Sequence, residues 1–499
     1  MSKGEKQRLL TESQWILVGL LLCLLIGITL RFHALGTESL WNDELESWRQ
    51  SSYPTLTQVL EQGSIPDTHP PLFQVILYYV ERGLGSGEVM LRLPSAVAGT
   101  LTILAMFFLG EAAFGNREGL IGAFLTAVLW VPVSYSQEAR NYAILLLFST
   151  LAGYFWIRIL QKILEGESIG IRLGLGYGIS ALLTCYTHYF GVLLIILQGV
   201  AALIYAFHQR NQRRQTIALY ALVLLGYMPW LPYLVLQLGH AERIAWMRLP
   251  GLTFFPAFIS FLFNRINALG LLVIAAYGFL LGSVLWRSGQ GPLSQKIRRL
   301  MGEMEIPLAY WLLVPVGIAY IVSLVFSPVY TQRNLMIALP PAYLLLARAI
   351  TRLTRRTILQ IALVGVFGGL PLLHMIFIQG YYKYPYKEQF REAIEYVVMN
   401  NDPDQNEAVI GNPKYPDYFT YYFERFDSGL RLDVFADGIE ALPLIDQFLD
   451  QSRSDRFWYI AVHGMPDSEL VAALESEYPL LDEKSYQGAH VWKFAVPEE

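Results

Sequence analysis

The sequence predicts a mainly α-helical, polytopic membrane protein with about eleven transmembrane helices, juxtamembrane helices between them, and a small α/β soluble domain at the C-terminus. Three observations lead there. Hydrophobic residues make up 54% of the 499 positions and charged residues only 16%, against about 25% charged in ordinary soluble domains. The apolar residues gather in runs long enough to cross a bilayer. The net charge of −4 divides unevenly, with +9 over residues 1–380 and −13 over 381–499, so the two parts face different surroundings.

The first apolar run covers 14–31 and follows Lys3, Lys6 and Arg8. It is too long for a signal-peptide core and no small-residue cleavage pattern follows, so an uncleaved signal anchor is expected, with a cytoplasmic N-terminus. Further spans are predicted at 92–112, 118–134, 140–160, 171–186, 189–208, 216–237, 267–286, 306–326, 334–350 and 358–379. Basic clusters at Arg210/Arg213/Arg214, Lys296/Arg298/Arg299 and Arg348/Arg352/Arg355/Arg356 mark cytoplasmic loops. Parity then requires that the shorter runs 71–84 and 251–263 do not cross, and they are expected as helices lying on the outer surface. The loops 32–90, 135–139, 187–188, 238–266 and 327–333 share the extracytoplasmic side with everything after 380. The expected division is a transmembrane catalytic domain over 1–380, with 32–90 as its first outer loop, and an extracytoplasmic domain over 381–499.

In the C-terminal part, Ala393, Ile394 and Val397 have helical spacing within 391–399. Residues 408–410 and 457–462 read as strands, ending at Gly411–Asn412–Pro413 and Gly464, and 491–496 as a last strand. Cys23 and Cys185 both lie in apolar runs, which argues against a disulfide framework or a cysteine-based metal site. No Walker A motif, no repeating arginine stripe and no zinc-peptidase signature is present. No nucleic-acid partner is expected.

The polar residues beside the spans carry the chemistry. Asp43 and Glu44 stand just after the first span, where ionised carboxylates lose hydration and are costly to keep. A carboxylate there can serve as general base, and Asp43 is the stronger candidate. Asn42 is the expected cap of a short helix. Carboxylates can also hold a divalent metal, and Asp43 with Glu138 form the candidate pair. His69 precedes Pro70–Pro71–Leu72, where the prolines hold it at the mouth of the 71–84 helix and make it a candidate phosphate contact. Tyr135 to Tyr142 joins two spans; Glu138 is a second acidic candidate, and Arg140 offers a planar fork suited to phosphate. Arg333 in the 327–333 loop is a further phosphate candidate. Tyr142 and His188 are weaker substrate contacts, since an interfacial aromatic belt explains the cluster around His188 equally well. Arg92 is expected to snorkel at an interface. Trp246 with Glu242, Arg243 and Arg248 could border a lipid groove.

Four motifs together resemble a known family. Trp41–Asn42–Asp43–Glu44, His69–Pro70–Pro71–Leu72, Arg92–Leu93–Pro94–Ser95 and Ser136–Gln137–Glu138–Ala139–Arg140–Asn141–Tyr142 match, in order and spacing, bacterial membrane glycosyltransferases related to dolichyl-phosphate-mannose protein mannosyltransferases and aminoarabinose transferases, which have the GT-C fold. Tyr330 to Asn334, followed by Pro340–Pro341, is similar to the family's later outer-loop arginine. The resemblance thins after that.

The resemblance implies an inverting transfer of a sugar from a polyprenyl-phosphate donor to a lipid, protein or glycan acceptor on the non-cytoplasmic face of a bacterial inner or plasma membrane. Asp43 would be the base or acceptor-orienting carboxylate, and Glu138 the second acidic residue. His69 stands where some relatives carry a basic residue toward the donor phosphate. The carrier's tail would stay in lipid, at about 0.8 kcal/mol per buried CH₂. The leaving phosphate would need cationic stabilisation, for which Arg140 and Arg333 are the candidates. A transporter or lipid flippase is the alternative class; it predicts inverted repeats and polar breaks at mid-membrane, whereas these polar residues gather at one face. No cofactor is required beyond a possible divalent metal.

Overall fold

A computed structural model describes residues 12–497 apart from 240–248, 290–291, 327, 403–404, 406, 413–414, 436–437 and 464–466. The leading basic residues and the Trp246 group therefore lie outside the described residues, as do Pro413 and Gly464. The protein divides into two compact units: Met1–His33, Pro54–Val80 and Arg92–Gln379 form one, and Ala34–Tyr53, Glu81–Leu91 and Gly380–Glu499 the other.

The first unit is a helical bundle of an integral membrane protein. Every predicted span coincides with a helix or a broken helix. Among the described residues eight helices are long and apolar enough to cross a membrane, or nine if the pair Asn116–Val128 and Trp130–Gln137, bent by 59°, counts as one. Ile171–Thr187 and Tyr189–Tyr205 have 17 residues each, which at 1.5 Å per residue reach about 26 Å, short of a hydrocarbon core of about 30 Å. The doubtful runs become the short helices Leu72–Leu84 and Phe254–Leu262.

Two buried polar clusters brace the bundle. The guanidinium of Arg31, fully buried in the first helix, donates to the carbonyls of Thr126 at 2.8 Å and Ala127 at 3.1 Å. Those carbonyls belong to the last turn of Asn116–Val128, where no intrahelical partner remains. Elsewhere Arg348 donates to Glu118 at 2.7 Å and to Glu305 at 2.9 Å, and Arg352 reaches Glu305 at 3.3 Å. Two of the four arginines in that basic cluster are thus committed to internal pairs. Arg92 is 1% exposed, which overturns the snorkelling expectation: it sits inside the fold, not at its rim.

The second unit is built on a five-stranded mixed sheet in the order β2-β1-β3-β5-β4, with β1 Glu407–Gly411, β2 Asp433–Val434, β3 Arg456–Val462, β4 Leu480–Tyr486 and β5 Ala489–Ala495. β1 pairs in parallel with β2 and β3, while β5 runs antiparallel to β3 and β4. Phe457, Tyr459, Trp492 and Phe494 pack with Ile445, Leu449, Leu470 and Leu474 from the helices Leu442–Ser452 and Ser468–Glu477 into one core. Glu407 is held inside by Lys493 at 2.7 Å and by the Trp458 indole N–H at 3.0 Å. The helix Phe390–Asn400 packs on the sheet through Phe390, Ala393, Ile394 and Val397.

Candidate functional site

In the first unit, three candidate residues, Arg140, Arg333 and His188, converge on the ring of a fourth, Tyr142. The guanidinium carbon of Arg140 lies 6.0 Å from the Tyr142 ring centre and that of Arg333 lies 5.8 Å from it. The His188 ring is 6.2 Å from the same ring, and His69 packs edge-on against His188 at 5.2 Å. Tyr135 closes the group at 5.2 Å from Tyr142.

The local backbone explains how these side chains are held. The helix from Trp130 breaks after Gln137, and Glu138 is extended at φ −121° and ψ 138° before the next helix starts at Tyr142. The break is fastened on three sides. Gln137 donates to the carbonyls of Arg31 at 3.2 Å and His33 at 2.8 Å, satisfying the end of the first helix. Ser95 donates to the Arg140 carbonyl at 3.0 Å, and Asn141 donates to the Thr187 carbonyl at 3.1 Å. Gly99 makes the approach possible, because a Cβ there would lie 1.9 Å from the Ser136 hydroxyl. Glu138 is buried in this segment.

His69 has a partner that sequence reasoning missed. The Asp67 carboxylate contacts its Nδ1 at 3.0 Å. Burial alone would raise the Asp67 pKa, but the His69 ring and the Arg140 charge outweigh it and hold the carboxyl down to about 2. The only trace in the sequence was spacing, an acid two residues before the histidine. His188 is extended at φ −161° and caps the helix Tyr189–Tyr205 by accepting the Phe190 N–H on Nδ1 at 3.1 Å. Burial first, and then the nearby His69 and Arg140, push its pKa well below the usual histidine value. The two imidazoles in edge contact are therefore unlike: His69 faces a carboxylate, and His188 stays neutral.

Asp43 and Glu44 belong to the second unit. They open the helix Asn42–Ser51, where a negative charge is favourable. Trp41, not Asn42, holds the capping position, and Glu44 accepts the Trp41 N–H at 3.5 Å. Glu44 is 0% exposed and bonds Lys387 at 3.1 Å, an enclosure that makes it a poor acceptor for the proton of an incoming hydroxyl. Asp43 is half-buried and is the carboxylate of the pair that solvent reaches.

Among the described residues no group of three or more His, Cys, Asp and Glu side chains could hold a metal ion. Asp43 and Glu138, the expected pair of metal ligands, fall in different units.

Residues 68–235 match the family described as dolichyl-phosphate-mannose-protein mannosyltransferase. No curated protein sequence matches the chain. Among solved structures, ArnT from Cupriavidus metallidurans bound to undecaprenyl phosphate superposes with a TM-score of 0.57 at 13% identity, covering 97% of this chain and 98% of that one. The archaeal oligosaccharyltransferase AglB from Archaeoglobus fulgidus, in complex with an inhibitory peptide and a dolichol-phosphate, gives 0.57 at 13% identity over 96% of this chain and 74% of that one. The chain shares its fold with these two solved structures over nearly its whole length. The segment matched by the family model includes His69, Glu138, Arg140, Tyr142 and His188.

Proposed function

We propose that the protein transfers a sugar from a polyprenyl-phosphate donor to an acceptor hydroxyl or amine at the extracytoplasmic membrane face, with inversion at the anomeric carbon. The observation that carries this reading is the meeting of Arg140, Arg333 and His188 at Tyr142, with the Asp67-bound His69 packed on His188. Two guanidinium groups with an imidazole nearby suit a phosphate diester that gains a second negative charge as it leaves. The similarity to structures described with undecaprenyl phosphate and dolichol-phosphate supports a lipid-phosphate donor.

In the proposed step the acceptor oxygen or nitrogen forms a bond to the anomeric carbon while the bond from that carbon to the phosphate oxygen breaks. The electron pair stays on the departing polyprenyl phosphate, where Arg140, Arg333 and His69 receive its charge. The acceptor proton passes to the Asp43 carboxylate. Glu138, in the fastened segment beside Arg140, orients the sugar. No nucleotide is needed, because the donor already carries an activated phosphate–sugar bond.

The test is release of free polyprenyl phosphate from a radiolabelled polyprenyl-phosphate sugar by the purified protein with membrane extract as acceptor. Asp43→Asn should abolish release while the protein remains folded. Normal turnover by that variant would refute the assignment of the base, and translocation of intact donor without release would favour a flippase.

A further inference from the structure

The segment 386–388 lies along the segment that carries Asp43, and the contacts are consecutive. The Tyr386 N–H donates to the Glu38 carboxylate. The Ser39 hydroxyl donates to the Glu388 carbonyl at 2.6 Å. The Glu388 carboxylate accepts the Asn42 N–H at 3.1 Å, and its other oxygen meets His463 Nδ1 at 2.9 Å. Lys387 donates to Glu44 at 3.1 Å, in a pair whose side chains are 7% and 0% exposed. The residues on either side of Asp43 are therefore each gripped by one of two adjacent residues, 387 and 388.

This geometry has a direct consequence for Asp43. On a helix, successive residues point about 100° apart. Fixing the backbone of Asn42 and the side chain of Glu44 fixes the rotation of the first turn, and with it the direction in which Asp43 leaves the helix. Lys387 pairs with the buried Glu44, whose charge is costly to hold in a closed site. His463, at the end of β3 with φ 62°, braces Glu388 from the sheet.

We infer that Lys387 and Glu388 are positioning residues for Asp43, so that the C-terminal segment forms part of the catalytic apparatus. This rests on the reading of Asp43 as base. Lys387 and Glu388 act through Glu44 and Asn42, and neither needs to touch substrate. Their loss lowers the rate of the chemical step and leaves donor binding, which the Tyr142 cluster performs, unchanged.

The experiment uses the full-length purified protein and a polyprenyl-phosphate sugar. Lys387→Met should reduce kcat by about a hundredfold, the scale of an ångström-level misplacement, with donor KM unchanged; Glu388→Gln should act in the same direction. Lys387→Arg should restore kcat to near wild type. Lys493→Met, which opens the buried Glu407 pair in the same unit, should lower thermal stability without changing kcat of the folded protein. Amide hydrogen exchange supplies a readout independent of turnover: residues 40–46 should exchange faster in Lys387→Met and Glu388→Gln than in Lys493→Met. Unchanged exchange there, or wild-type kcat in both folded variants, overturns the inference. If the wild-type protein itself does not turn over the donor, the proposed function fails, and the exchange experiment still decides whether the clamp exists.

Discussion

Arg140 and Arg333, 193 residues apart in the chain, bring their guanidinium groups to the same Tyr142 ring at 6.0 and 5.8 Å. Two like charges do not gather at one ring without a reason, since each repels the other. The ring's negative face offsets part of that cost, at about 0.5–2 kcal/mol per cation. A phosphate would offset much more. In the proposed reaction, the anion that the pair would meet is the donor phosphate.

Each guanidinium should contribute to the departing phosphate. Arg140→Ala and Arg333→Ala are each expected to lower kcat by about 10²–10³, as for loss of one preorganised donor. Lysine at either position should recover only part of this, because a point charge lacks the planar fork. Steady-state turnover of a polyprenyl-phosphate sugar is the measurement, and wild-type kcat in both alanine variants would remove these residues from the mechanism.

Asp67 links the site to acid stability. Its folded-state pKa of about 2 lies below the usual carboxyl value of about 3.9. A depressed acid pKa stabilises the fold above the unfolded value and loses that contribution as pH falls through the folded one. The contribution is about 2 kcal/mol above pH ~4 and vanishes near pH 2. Asp67→Asn should therefore unfold earlier than wild type on heating at pH 6, with the difference shrinking as the pH falls from 4 toward 2. A constant difference across that window would show that the carboxylate's charge is not the cause.

Arg348 is the keystone of the second buried cluster. Replacing it with methionine leaves Glu118 without its 2.7 Å partner and Glu305 with Arg352 alone. A destabilisation of about 3–5 kcal/mol is expected for a buried carboxylate deprived of its cation. The Glu118→Gln/Arg348→Met double variant should recover part of it. Thermal unfolding in detergent reads both, and equal losses in single and double variants would argue against charge as the origin.

Gly99 sets how closely the broken helix approaches its neighbour. Alanine there would place a Cβ 1.9 Å from the Ser136 hydroxyl and 3.0 Å from Arg31. The Ser136 side chain and the backbone behind it must shift, at a cost of about 1–3 kcal/mol. Because Arg140 follows in the same fastened segment, Gly99→Ala should lower turnover as well as stability. A variant with lower stability and unchanged kcat would separate the two effects.

Much of the architecture was legible because it rests on local pattern. The apolar runs gave the helices, since twenty oily residues have few other places to go. The strands β3 and β5 were legible from buried residues such as Phe457 and Val491. β4 was not: Leu480–Tyr486 is an edge strand with mostly exposed side chains, and its sequence lacks the apolar alternation that marks a half-buried strand. The break between Val128 and Trp130, inside the span expected at 118–134, was also hidden. Carbonyls at its edge are satisfied by Arg31, about 95 positions away, and no short window contains both partners.

The candidate residues divide in the same way. His69, Glu138, Arg140 and Asp43 stood out because charge beside a span is costly and therefore conspicuous. Asp67 was passed over because an acid in a polar loop has no such contrast. Lys387 and Glu388 were invisible, since their partners Glu44 and Asn42 lie 343 and 346 residues away.

The sequence by itself determined the membrane class, the helices, the acidic C-terminal part and the residue types available for handling phosphate, because hydrophobicity and charge act on each segment wherever it ends up. Only the tertiary structure decided that Arg140, Arg333 and His188 share one tyrosine, that His69 packs on His188 and is held by Asp67, and that Glu44 is sealed against Lys387. Those pairings depend on distance in space, and a contact between residues hundreds of positions apart leaves no periodicity for a single chain to show.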